Sequence, residues 1–148
     1  RLHAGFERGR RGTKPGRTLM DATRAMHAER SYMQVYWSGA AFFLLVDLEL
    51  RSASAQRQSL DDVLAAFADC CLATKQVWTA REFLERLDRL SGSDVFTRLA
   101  EVNRDSDQFP DLSSAYQTLG LQRLSDGRLA FDDALQARAM RNAIMGAP

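Results

Sequence analysis

At 148 residues, with 45% hydrophobic and 26% charged side chains, the chain has the size and balance of one ordinary globular domain. Its net charge of +1 conceals an asymmetry. Within residues 1–17, Arg1, Arg8, Arg10, Arg11, Lys14 and Arg17 face only Glu7, out of 20 basic and 19 acidic residues in all. Lacking interleaved aromatics and lying beside an acidic body, this stretch reads as a solvated basic loop or arm rather than a nucleic-acid interface. It also lacks the continuous apolar core of a signal peptide, so no targeting segment is expected in the chain.

The first capping signature is Thr18 with Asp21, which predicts a helix over about 18–29 carrying Leu19, Ala22 and Met26 on one face. His27 falls on that helix, and both it and His3 are expected at the surface. The next stretch, YWSGAAFFLLVDLELR from Tyr36 to Arg51, is apolar on nearly every face. Its uninterrupted apolar run from Gly39 to Val46 is far shorter than the roughly 20 residues of a spanning helix, and Asp47, Glu49 and Arg51 follow at once. The periodicity of Val35, Gly39, Phe42, Phe43, Val46 and Leu50 predicts a central buried helix instead. Asp47 and Arg51 have the spacing of a surface ion pair, and residues 52–59 form a polar loop.

Ser59 with Asp62 caps a third helix, whose core side carries Leu60, Val63, Leu64, Phe67 and Cys71. Cys70 and Cys71 are adjacent and read as free thiols, because neighbouring side chains on a helix diverge; Cys71 then serves as a small buried hydrophobe. With two histidines and no spaced cysteine pair, no metal-ligand cluster is expected inside the chain. Thr79 with Glu82 opens a fourth helix lined by Phe83, Leu84, Leu87 and Leu90 and stopped by Gly92. Asp94 caps a fifth, with Val95, Phe96, Leu99 and Val102 inward, and Asp111 opens a sixth that ends at Gly120. Asp126-Gly127 between short apolar stretches marks a small hairpin near 121–131, and Asp132 or Asp133 caps a terminal helix bearing Leu135, Ala139, Ala143 and Ile144. The fold expected is all-α, six to seven helices in an orthogonal bundle, with that one small hairpin.

The order TLMDAT, VYWSGAAFFLLVDLELR, QSLDDVLAAF, TAREFLERLDRLSG resembles the C-terminal helical lobe of the glycyl aminopeptidase-type metallopeptidases, which are thermolysin-like gluzincins. The likeness runs from about Thr18 to Leu121. Its most specific parts are YWSGA and LVDLELR, which match a Tyr-x-Lys-Gly-Ala helix start and a Leu-x-Asp-x-x-Leu-Arg end. The resemblance implies that Tyr36 donates a hydrogen bond to the oxyanion formed when zinc-bound water attacks a peptide, with Tyr32 a weaker substitute. It implies that Ser38 and Gly39 line the substrate site, with Gly39 allowing another backbone to approach. A rigidly held phenol stabilises charge that appears only in the transition state, and such donors contribute about 3 kcal/mol.

Ser38 stands where that family usually has lysine, which removes a positive charge from the rim of the site. The zinc-binding His-Glu-x-x-His helix and the later glutamate ligand are not in this chain. The resemblance therefore implies a C-terminal fragment, not catalytic by itself, whose partner is the N-terminal metal-binding lobe of the same protein. Zinc and a peptide substrate belong to that parent, and neither nucleic acid nor membrane is an expected partner. An alternative alignment sets LHAGF against the family's Glu-Gly-Phe segment, placing Ala4 at the third zinc ligand of a dead enzyme. The other functional class open at this point is a non-catalytic helical module that binds a peptide or protein. Tyr36, Trp37 and Trp78 are expected at an exposed apolar face through which the fragment could self-associate. Arginine-heavy, lysine-poor usage suggests a GC-rich bacterial source, and the parent's place is expected to be the periplasm or cell envelope.

Overall fold

The computed structural model describes residues 2–73 and 75–146. They form nine α-helices and one hairpin: α1 (Leu2–Gly12), α2 (Leu19–Arg24), α3 (Met26–Glu29), α4 (Tyr32–Ala53), α5 (Leu60–Phe67), α6 (Ala80–Ser91), α7 (Val95–Arg104), α8 (Ser113–Thr118), β1 (Leu121–Arg123), β2 (Leu129–Phe131) and α9 (Leu135–Met145). The all-α expectation with one hairpin holds, with two helices beyond the seven expected. Residues 2–12 fold as α1, and the helix expected over 18–29 breaks at Ala25 into α2 and α3, after which Arg30 turns left-handed at φ 52°.

The three capping boxes form as their spacing dictates. Thr18, Ser59 and Thr79 each accept from the backbone N–H three residues on, while Asp21, Asp62 and Glu82 accept from the cap's own N–H. Asp94 does not cap α7 with its side chain. Asp88, on the preceding helix, does so: its carboxylate accepts from the backbone N–H of Phe96 at 2.8 Å and of Thr97 at 3.2 Å. Gly92 ends α6 in the left-handed conformation, and Gly127, at φ +80°, turns the hairpin in which Leu121 pairs with Phe131.

Two hydrophobic clusters make the core, and α4 runs through both. Ala41 and Leu48 join Phe6, Phe109, Leu112, Ala115, Leu119 and Met140 in the first. Val46 and Leu50 join Val63, Phe67, Cys71, Leu87, Val95 and Phe96 in the second. A helix shared by two cores must be apolar on more than one face, which accounts for the all-round pattern of its sequence. Among the described residues no helix is long and apolar enough to cross a membrane.

The basic segment is not a solvated loop: α1 buries Gly5, Phe6 and Gly9 against α4. Three of its basic residues meet acids: Arg17 and Lys14 lie 2.7 and 3.9 Å from Glu29, and Arg10 lies 3.7 Å from Glu7. The Asp47–Arg51 pair is buried, not superficial, and Asp47 also accepts from Leu60 N at 2.8 Å, which ties the end of α4 to the start of α5. Val102 and Leu135 are exposed, while Ala137 and Met140 supply the buried side of α9. His3 is half-buried, with Nδ1 2.7 Å from the Tyr116 hydroxyl, whereas His27 is exposed as expected.

Cys70 and Cys71 are not free thiols; they form a disulfide. On a continuing α-helix the two neighbouring side chains would diverge. Instead α5 ends at Phe67 and residues Ala68–Leu72 form a wider π-turn.

Candidate functional site

The first two turns of α4 are held from behind. Trp37 lies against α1, where a Cβ on Gly5 would fall 2.1 Å from Trp37 Cη2 and one on Gly9 would fall 2.6 Å from Trp37 Cβ. Only glycine at these positions lets the two helices approach so closely. Phe6 meets the Trp37 ring edge-on at 5.9 Å, and Phe6 in turn lies 6.3 Å from the Phe109 ring. Tyr116, beneath the same helix, has its phenol pushed above the ordinary range, first by burial and then by Glu7. From the other side, the Ser31 hydroxyl donates to the carbonyl of Ala22 at 2.7 Å, which fastens the start of α4 to α2.

On the outward side of these turns stand Tyr32, Met33 and Tyr36, which are 40%, 49% and 65% exposed. Tyr36 packs edge-on against the Trp37 ring, with centroids 5.0 Å apart, and its hydroxyl makes no hydrogen bond among the described residues. Tyr32 is engaged locally: its hydroxyl lies 3.2 Å from His27 Nδ1. Gly39, one turn beyond Tyr36, faces open space, since a Cβ there would meet nothing within 4 Å. Ser38 is buried, as is Gln34 one turn before it.

The sequence-predicted residues therefore separate. Tyr36 and Gly39 share an open face, and Ser38 points into the protein. Trp37 and Trp78, expected with Tyr36 at the surface, are half-buried: Trp37 packs on the first cluster and Trp78 on the second, 5.3 Å from Phe67. Ala4 is an exposed residue of α1. Among the described residues no group of three or more His, Cys, Asp or Glu side chains could hold a metal ion.

A second feature escaped sequence reasoning. Beside the π-turn lies a cavity of about 370 Å³ lined by the disulfide, Trp78, Glu82, Arg86 and Arg89 among others. Arg86 reaches both sulfurs at 3.4 Å. The signal in the sequence was the helical spacing of Arg86 from Glu82 and Arg89, which puts all three on one side of α6, but nothing local says that this side meets the cysteines.

The fold and this open face define an all-α domain with one helix presenting a phenol. Comparison with protein-family models, with curated proteins and with solved structures finds no match.

Proposed function

We propose that the chain is the helical lobe of a zinc aminopeptidase-like protein, forming one wall of the active-site cleft and presenting Tyr36 to it. The observation that carries this reading is the exposed, unbonded phenol of Tyr36 on a helix whose rear is immobilised by α1. A hydroxyl that must meet a developing oxyanion needs both properties: a free donor, and a support that does not move when charge appears. The open space before Gly39 adds room for a substrate backbone or for a facing lobe. Ser38, being buried, acts on the site through the packing of α4, so its role is positioning rather than contact with substrate.

The parent's metal-binding lobe would supply zinc and the activated water, and this chain would supply the donor. Burial of a serine where the resembling family has lysine favours a second reading, in which the same wall binds a peptide without hydrolysing it.

The test begins with the coding sequence upstream of Arg1. A His-Glu-x-x-His motif with a later glutamate supports the enzyme; apolar residues at those positions would leave the binding module. In the full-length protein, Tyr36→Phe is expected to lower kcat on aminoacyl-anilide substrates about 100-fold with KM and fold unchanged. Unaltered kcat in that variant would remove the oxyanion role.

A further inference from the structure

The disulfide joins adjacent residues in the π-turn, with Cys70 exposed and Cys71 buried in the second cluster. Arg86, from α6, lies over both: Nε is 3.4 Å from Cys71 Sγ and Nη2 is 3.4 Å from Cys70 Sγ. The sulfurs of a closed disulfide are weak acceptors and gain little from a permanently charged guanidinium. The sulfurs of the opened pair gain much more, because a neighbouring cation favours thiolate over thiol. The placement of Arg86 thus suits the reduced pair better than the oxidised one. The adjoining cavity gives a reductant access to Cys70.

We propose that Cys70–Cys71 is a redox-modification site that undergoes reversible thiol–disulfide exchange with a dithiol reductant, Arg86 being the positioning residue that stabilises the thiolates. A reductant thiolate attacks the exposed Sγ of Cys70, forming a mixed disulfide and breaking the Cys70–Cys71 bond. The Cys71 sulfur leaves as a thiolate beside Arg86 Nε. The second thiolate of the reductant then closes the reductant's own disulfide and releases Cys70 beside Nη2. Two electrons pass from the dithiol to the protein, and the two protons of the dithiol go to solvent or to the released sulfurs. The Phe67 carbonyl, 3.6 Å from Cys70 Sγ, accepts from that thiol when it is protonated.

The test uses the full chain purified in air and denatured in excess N-ethylmaleimide. Its intact mass should show no adduct, and two adducts after prior treatment with dithiothreitol. Two adducts without reductant, or a doubled mass that collapses on reduction, would overturn the site. The role of Arg86 is read separately from the alkylation rate of the reduced, native protein at neutral pH. Arg86→Gln should slow it about fivefold or more, and Arg86→Lys, which keeps the charge, should restore most of the rate. All three proteins should react alike in urea. A native Arg86→Gln protein as fast as the parent would sink the assignment of Arg86.

Discussion

Gly5→Ala and Gly39→Ala are the same chemical change on two helices, and the structure predicts opposite signs for them. At Gly5 the new methyl would sit 2.1, 2.2 and 2.4 Å from three atoms of the Trp37 ring. Carbon atoms attract at about 3.5–4.0 Å, so each contact overlaps by more than about 1 Å. The ring has little room to give way, because Phe6 meets it edge-on and the next turn of α1 abuts the Trp37 Cβ at Gly9. Overpacking of this kind costs about 1–3 kcal/mol, and three ring contacts place it at the upper end. Alanine recovers about 1 kcal/mol of helix propensity, leaving Gly5→Ala about 2 kcal/mol less stable than the parent. At Gly39 the methyl enters open space, so only the propensity gain remains and stability rises by up to about 1 kcal/mol. Urea unfolding followed by helical circular dichroism measures both. If Gly5→Ala stabilises the protein as Gly39→Ala does, α1 is not docked on Trp37 and the reasoning fails.

Two further outcomes follow from polar contacts. Removing the Asp47 carboxylate in Asp47→Ala leaves the buried Arg51 guanidinium and the Leu60 N–H without their partner, at a cost of about 3 kcal/mol in urea unfolding; a loss near zero would return the pair to the surface. Hydrogen bonds from Thr18, Ser59 and Thr79, foremost those from their hydroxyls, hold Asp21, Asp62 and Glu82 below their ordinary values of 3.8, 3.8 and 4.5. Because the folded values lie below the unfolded ones, this stabilisation is complete above the ordinary carboxylate range and is lost as pH falls through the lower folded values. The urea midpoint should therefore be level above about pH 5 and decline below about pH 4, with a shallower decline in the Ser59→Ala/Thr79→Ala double variant. An unchanged slope in that variant would show that the caps do not set the acid limb.

The parts of the fold legible in the sequence were those fixed within one turn of chain. A cap and its acidic partner stand three residues apart, and Gly92 and Gly127 act through their own φ, so neither needs a distant neighbour. Tyr36 on the central helix was likewise legible. What failed depended on distant partners. GFERG places Gly5 and Gly9 on one face of a helix, but that face became meaningful only with Trp37 against it. Asp88 caps a helix other than its own, and Val102 and Leu135 are exposed although their spacing sets them on the apolar stripes of their helices.

The sequence by itself determined that the chain is helical, where most of its helices begin, and that the segment from Tyr36 to Arg51 is its spine, because capping and periodicity act over three to four residues. Only the tertiary structure decided that the basic N-terminal stretch is a packed helix, that Asp47 and Arg51 are buried, that the cysteines are joined under Arg86, and that Tyr36 faces outward while Ser38 faces in. Those outcomes rest on excluded volume and on charges brought together across the fold, which no local pattern encodes.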